Sequence, residues 1–270
     1  MKKHICALAV LSGLSFSAMA LDCDPTLLPS WKDGASKSAI VNYVDQSTDA
    51  SKKTFIAEQD RIAVFDNDGT LWSEKPFYFQ LAYALDEVKL MAKDHPEWKT
   101  QEPFKSVLND DIEGVFKGGE KALLEIVKVT HSGMTVQEYQ QKVADWLKVA
   151  KDPRFGQAYT ELTYKPMREM VTYLQEHGFK TYIVSGGGVD FMRVWAPEVY
   201  SIPEEQIIGS ALKYKYDYND GKPTVTKLGE ILTIDDKTGK VENIQHIIGN
   251  KPDLAIGNSD GDHAMMQWAT

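Results

Sequence analysis

The stretch that decides the fold is residues 61–72, Arg-Ile-Ala-Val-Phe-Asp-Asn-Asp-Gly-Thr-Leu-Trp. Its apolar and partly β-branched run Ile62–Phe65 predicts a short buried strand. Two carboxylates, Asp66 and Asp68, follow that strand at once. Because ligands bind at the carboxyl ends of the strands in open parallel sheets, we expect both acids at a functional site. The alternative is a strand that simply ends in a polar Asn-Asp-Gly turn, which is a common arrangement.

Apolar periodicity along the rest of the chain predicts an α/β fold, with a doubly wound, mainly parallel sheet. The expected strands lie at 62–65, 180–184, 206–210 and 253–256, and the expected helices at 36–44, 165–176, 189–195 and 240–248. Residues 214–234 alternate between polar and apolar around turn sequences, which predicts a small antiparallel excursion from this core.

A long helical segment separates the first two predicted strands. Amphipathic helices are expected at 80–92, 122–129 and 136–149. The segment is far longer than the dozen or so residues that a simple crossover between parallel strands needs. The sequence therefore predicts a core formed by residues 21–74 and 164–270, with a helical cap at 75–163 inserted in it.

The amino terminus has the pattern of a secretory signal at residues 1–20. Lys2 and Lys3 give a basic start, an apolar stretch follows, and Ala18-Met19-Ala20 has the small-x-small form of a cleavage site. We therefore expect a secreted, periplasmic protein that has no membrane association after cleavage. An uncleaved anchor is the alternative.

The charge balance argues against one class of partner. The chain has 30 Lys and Arg residues and 39 Asp and Glu residues, which gives a net charge of −9. Removal of Lys2 and Lys3 with the signal would make the net charge −11. Binding to nucleic acid needs a basic footprint, so no nucleic-acid partner is expected. An anionic substrate would have to be attracted by a local positive feature, such as a metal ion or a lysine.

The order Asp66-x-Asp68-x-Thr70 after an apolar strand resembles the first motif of the haloacid dehalogenase (HAD) superfamily of phosphatases. The resemblance implies a Rossmann-like HAD core, with Asp66 as the nucleophile and Asp68 as the general acid and base. Such a reaction passes through an aspartyl-phosphate. The resemblance also implies that an oxygen of Asp66 and the main-chain carbonyl of Asp68 bind Mg²⁺.

The second and third motifs of the family bind phosphate. Ser185 and the amide of Gly186, after the second predicted strand, match the second motif and would hold phosphate oxygens. The third motif needs a lysine, for which Lys240 and Lys251 are candidates. Lys240 is favoured because it opens the helix before the last strand, as in the phosphoserine phosphatase branch. Lys251 is expected at the far end of that strand.

The fourth motif departs from the family pattern. Where the family usually has Asp, this chain has Asn258, and Asp262 matches the second acid. An amide oxygen can bind Mg²⁺ but carries no charge, which puts the metal affinity in doubt. The predicted metal ligands are Asp66, Asp68, Asn258 and Asp262, with Asp262 either binding the ion or supporting its ligands. The family usually has a further strand after this motif, so we expect the last strand here at the edge of the sheet.

Together the motifs resemble the phosphoserine phosphatase-like branch and imply an exported, Mg²⁺-dependent phosphomonoester hydrolase acting on a small phosphorylated metabolite. Two alternatives stay open at this stage. One is a phosphotransferase on the same fold, in which an alcohol replaces water. The other is a binding protein on a degenerate HAD scaffold, supported by Asn258 and the early end of the chain.

Overall fold

The computed structural model describes residues 28–269, so the predicted signal peptide at 1–20 lies outside the described residues. The strands are β1 (Ile62–Phe65), β2 (Lys180–Gly188), β3 (Ile207–Asn219), β4 (Lys222–Thr233) and β5 (Leu254–Ile256). The α-helices are α1 (Ala35–Thr48), α2 (Phe79–Met91), α3 (Phe104–Leu108), α4 (Ile112–Lys117), α5 (Gly119–His131), α6 (Val136–Val149), α7 (Lys165–Glu176), α8 (Val189–Met192), α9 (Ala196–Tyr200), α10 (Thr238–Ile247) and α11 (His263–Ala269). Across residues 28–269, no helix is long and apolar enough to cross a membrane.

The five strands form one sheet in the order β4-β3-β2-β1-β5. The pairs β1–β2, β1–β5 and β2–β3 are parallel, and only β3–β4 is antiparallel. Phe65 at the end of β1 lies level with Ile183 of β2 and Ile256 of β5. The loops that follow these three strands therefore leave the sheet at the same end. As expected, β5 lies at an edge.

Both faces of the sheet are covered by helices. Ala63 and Phe65 of β1 belong to a buried cluster with residues of α1 and α7. The alternating residues Ile62 and Val64 belong to a second cluster that includes Ile244 of α10 and Met265 of α11. All four β1 residues are buried, as a strand packed on both faces requires. The prediction of a doubly wound α/β core is confirmed.

The segment between β1 and α7 consists of helices and connecting turns. It contacts the core hairpin directly: the N–H of Gly133 donates to the main-chain oxygen of Lys227 (2.8 Å), and the N–H of Lys227 donates to that of Met134 (2.9 Å). Helix α6 then starts with a capping box between Thr135 and Glu138. The division into a core (21–74, 164–270) and a cap (75–163) stays a prediction.

Two expected elements differ in the structure. The strand expected at 206–210 and the alternation at 214–234 form one long hairpin, because β3 continues past its partner β2 and pairs along β4 instead. The helix expected at 189–195 ends at Met192, and α9 follows with Pro197 in its first turn. Proline cannot donate to a preceding turn, so one continuous helix is interrupted there.

Candidate active site

The predicted site residues converge at the carboxyl ends of β1, β2 and β5. Asp66 follows β1 directly, and its N–H donates to Ile256 of β5 at 2.9 Å. Ser185 lies in β2, and Asn258 follows β5 after one glycine. Lys240 enters from the first turns of α10, which packs on the same end of the sheet.

Lys240 is the lysine that the structure places against the nucleophile candidate. Its Nζ lies 2.6 Å from Asp66 Oδ1, 2.6 Å from Asp262 Oδ1 and 2.8 Å from the oxygen of Val184. Burial alone would lower the pKa of Lys240, but the negative charge of Asp66 and the hydrogen bond with Asp262 raise it above its usual value. Lys240 therefore stays protonated. Lys251 lies before β5, at the opposite end of the strand.

Asp262 is hydrogen-bonded to Lys240 and to the loop that follows β5. Its Oδ1 accepts from Lys240, and its Oδ2 accepts from the N–H groups of Asn258 and Ser259 (both 2.9 Å) and from the Ser259 hydroxyl (3.1 Å). Both oxygens of this buried carboxylate are therefore in use. These contacts favour the alternative in which Asp262 positions Lys240 and the loop, and its place among the metal ligands stays a prediction.

The two motif acids are chemically distinct. Burial raises the pKa of Asp66, while the charge of Lys240 opposes that rise. Burial raises the pKa of Asp68 to about 6, although a hydrogen bond from Trp72 lowers it. The indole Nε1 of Trp72 donates to Asp68 Oδ1 at 2.8 Å. A carboxyl group with a pKa near neutrality can both donate and accept a proton under ordinary conditions.

The second motif forms a loop that interrupts the β2–β3 ladder. Pairing passes from Ser185–Gly209 directly to Gly188–Ser210, so Gly186 and Gly187 are displaced from it. The buried Ser185 hydroxyl accepts from the N–H of Gly187 (3.1 Å) and lies 3.4 Å from Asp68 Oδ2. Gly186, the first of the two displaced glycines, is exposed. Ser185 is thus positioned beside Asp68, and the binding of phosphate by Ser185 and Gly186 stays a prediction.

Three oxygens converge where Mg²⁺ was predicted. The Asn258 side-chain oxygen lies 3.1 Å from the main-chain oxygen of Asp68 and 3.2 Å from Asp66 Oδ2. Ligand oxygens about 2.1 Å from an octahedral Mg²⁺ lie about 3.0 Å apart at adjacent vertices, so the spacing fits the ion. A rotated amide could instead donate to the same oxygens. Among the described residues, no group of three His, Cys, Asp or Glu side chains forms a metal site, because these ligands include an amide and a main-chain carbonyl.

Two residues at the site were missed by sequence reasoning. Trp72 is fully buried, stacks on Trp195 with ring centroids 4.0 Å apart, and holds Asp68. Gln80 of α2 accepts a hydrogen bond from the N–H of Gly188 at 2.7 Å. The position of Trp72, four residues after Asp68, offered a hint. No local signal could have paired Gln80 with a glycine 108 residues away.

Comparison with known proteins supports the fold. A solved structure of a protein of unknown function from Anaerococcus prevotii DSM 20548 is similar over 85% of this chain and 81% of its own, with 16% identity and a TM-score of 0.55, which supports the fold. A phosphoserine phosphohydrolase-like protein from Francisella tularensis matches over 77% of this chain and 82% of its own, with 17% identity and a TM-score of 0.38. At that score the likeness adds no argument about the substrate. Among curated protein sequences, none matches this chain.

The family model for haloacid dehalogenase-like hydrolases matches residues 63–267. That range runs from β1, through all four motif positions, into α11. The prediction of the haloacid dehalogenase superfamily is therefore confirmed. The chain belongs to the haloacid dehalogenase-like hydrolases.

Proposed function

We propose that this protein is an exported, Mg²⁺-dependent phosphomonoester hydrolase acting on a small phosphorylated metabolite through an aspartyl-phosphate. The observation that carries the proposal is the pairing of two unlike carboxyl groups. Asp66 is held by the protonated Lys240, whereas Asp68, two residues later, has a pKa of about 6. A nucleophile and a proton donor are thus side by side in one site.

The reaction follows from these positions. One oxygen of Asp66 attacks phosphorus, and the bond from phosphorus to the leaving oxygen breaks while Asp68 gives that oxygen its proton. Asp68, now ionised, takes a proton from water as the water attacks the phosphorus of the aspartyl-phosphate, which releases phosphate and restores Asp66. Ser185, the Gly186 amide and Lys240 would hold the oxygens of the phosphoryl group.

Asp66 Oδ2, the main-chain oxygen of Asp68 and the amide oxygen of Asn258 would hold Mg²⁺. When bound, the ion supplies positive charge that offsets the repulsion between a phosphate dianion and the carboxylates. Export rests on the signal-like sequence at residues 1–20.

Intact-protein mass spectrometry of three forms of residues 21–270 tests the mechanism. With an aryl phosphate, whose leaving group needs little acid, Asp68→Asn should still be phosphorylated but not hydrolysed. It should therefore accumulate an adduct of about 80 daltons, one phosphoryl group on a carboxylate. Asp66→Asn should show neither adduct nor turnover. Hydrolysis of alkyl phosphates by Asp68→Asn should fall by about 10²–10⁴-fold.

Equal turnover of aryl and alkyl phosphates by Asp68→Asn and the parent protein would contradict the assignment of Asp68. Repeating the assay with an alcohol in excess distinguishes the two alternative functions, a phosphotransferase and a binding protein. Transfer of the phosphoryl group mainly to the alcohol would indicate a phosphotransferase. The absence of both adduct and turnover in every form, with Mg²⁺ present, would indicate a binding protein on this scaffold.

A further inference from the structure

A side chain from the helical insertion reaches into the predicted phosphate loop. Gln80 lies in α2, and its Oε1 accepts the N–H of Gly188 at 2.7 Å. The contact is tight, because a Cβ added at Gly188 would lie 2.6 Å from Gln80 Nε2. At Gly187 an added Cβ would lie 3.4 Å from Gln80 Oε1 and 3.5 Å from Asp68 Oδ2. Gln80 therefore borders the loop at a glycine that also lies close to the proposed acid.

The other end of the Gln80 amide is fixed by a buried histidine. Gln80 Nε2 lies 3.0 Å from Nε2 of His131, whose Nδ1 lies 2.7 Å from the Thr130 hydroxyl. That hydroxyl donates to the oxygen of Ile126 at 2.8 Å. Burial, with the nearby charge of Lys227, lowers the pKa of His131 to about 3, so the ring is neutral.

The hydrogen-bond directions along this chain are mutually consistent. Since the Thr130 hydroxyl donates its proton to Ile126, it must accept one from His131 Nδ1. His131 Nε2 then carries no proton and accepts from the Gln80 amide nitrogen. The amide oxygen of Gln80 is left to accept from Gly188. A rotated amide would set a donor against the N–H of Gly188 and an acceptor against the unprotonated Nε2 of His131. The orientation of Gln80 is thus determined from both sides.

This contact lies at the point where the loop rejoins the sheet. Gly186 and Gly187 are outside the β2–β3 ladder, which resumes at Gly188. The amide of Gly188 that Gln80 holds is therefore where the loop rejoins regular structure. The insertion that carries Gln80 is itself attached to β4 through the main-chain hydrogen bonds of Gly133 and Lys227.

We propose that Gln80 is a positioning residue: it holds the Ser185–Gly188 loop in its phosphate-binding conformation, and His131 fixes its amide. The inference rests on the proposed function for its link to phosphate. It predicts that affinity for the phosphoryl group depends on a side chain of the insertion. The turnover number kcat should depend less on the Gln80 side chain than affinity does, because Asp66, Asp68 and Lys240 stay in place.

The test compares Gln80→Leu with Gln141→Leu, a matched change of an exposed glutamine on α6 of the same insertion. Gln80→Leu should raise the KM for an aryl phosphate and the inhibition constant of inorganic phosphate by about tenfold, the size of one lost hydrogen bond. Its kcat should change less than KM. Gln141→Leu should leave both constants unchanged.

An NMR measurement on the substrate-free protein tests whether Gln80 positions the loop through hydrogen bonds or only fills space beside it. In ¹H–¹⁵N NMR spectra, Gln80→Leu should shift the Gly188 amide and the unprotonated Nε2 of His131, because both lose their partner. If Gln80→Leu does not fold, Gln80→Glu decides: it retains an acceptor for Gly188 but adds a negative charge, so phosphate should bind more than tenfold more weakly with a nearly unchanged Gly188 signal.

Unchanged KM, phosphate inhibition and Gly188 signal in Gln80→Leu would overturn the proposal, as would unchanged phosphate inhibition in Gln80→Glu. The two proposals can fail separately. If the parent protein hydrolyses no phosphate ester and yet the Gly188 and His131 signals shift as described, the proposed function fails and the positioning of the loop by Gln80 stands.

Discussion

Replacement of Lys240 by Met should destabilise the folded protein strongly at neutral pH. The Lys240 side chain is only 2% exposed and lies 2.6 Å from oxygens of two buried carboxylates, Asp66 and Asp262. Removing one member of a buried ion pair leaves an uncompensated charge, which costs about 3–5 kcal/mol. For a domain of this size, each kcal/mol lowers the melting temperature by about 2–4 °C, so we expect a decrease of about 6–20 °C.

The decrease should be smaller in acid. Burial already raises the pKa of Asp66 above its ordinary value, and Lys240 is the charge that opposes this rise, so the variant should raise the pKa of Asp66 further. A buried acid with a raised pKa destabilises the fold above its unfolded pKa, and this penalty fades as pH falls through the folded pKa. In the parent protein the pKa of Asp262 is lowered, so its stabilisation is lost only once pH falls toward and below the ordinary pKa of a carboxyl group. The two melting temperatures should therefore converge as pH falls from neutrality through the raised pKa of Asp66 in the variant.

Thermal and urea unfolding of residues 21–270, without Mg²⁺ or phosphate, measures this effect independently of activity. Lys251→Met is the matched control, since the same side chain is replaced at the opposite end of β5, and it should cost less than about 1 kcal/mol. The double variant Asp66→Asn/Lys240→Met should regain part of the loss because one buried charge is removed. A Lys240→Met protein as stable as the parent at pH 7, or one whose deficit grows in acid, would refute this electrostatic account.

Three further predictions concern the metal, the loop and export. Asn258→Asp should lower the Mg²⁺ concentration needed for activity by about tenfold or more, because a full charge joins the ligands; an unchanged requirement would remove Asn258 from the site. Asp262→Asn should reduce kcat by about tenfold or more while the Mg²⁺ requirement stays unchanged, because Lys240 loses the charge of one of its two carboxylate partners and Asp262 is not expected to bind the ion directly; a raised Mg²⁺ requirement would place Asp262 among the metal ligands. Mass measurement of the protein recovered from the periplasm should give Leu21 as its first residue, and an intact Met1 there would contradict signal cleavage.

The parts of the fold that follow from local sequence could be predicted closely. The strand Ile62–Phe65 and the helix Val136–Val149 have the expected bounds, the latter because Thr135 and Glu138 form a capping box. The choice of Lys240 over Lys251 agrees with the structure for the same reason, since its position at the start of α10 could be read from the sequence. In each case a short stretch of chain contains the determining information.

Features that depend on distant contacts could not be predicted in this way. The length of β3 depends on β4 replacing β2 as its partner, which alternation alone does not specify. The place of Asp262 depends on two amide groups and on Lys240 meeting around it, whereas its sequence position fitted a metal ligand equally well. Gln80 reaches the phosphate loop only because α2 lies over the end of β2.

The charges of the site give a physical reason for the proposed cation and for an amide at position 258. Asp66, Asp68 and Asp262 face the single positive charge of Lys240, and Lys240 is already hydrogen-bonded to two of them. A phosphate dianion approaching this group would be repelled unless further positive charge were present. Aspartate at position 258 would strengthen cation binding but add a third uncompensated carboxylate whenever the site is empty. Asn258 avoids that repulsion at the cost of metal affinity, so the Asn258→Asp protein should bind Mg²⁺ more tightly and also lose more stability when Mg²⁺ is removed by a chelator.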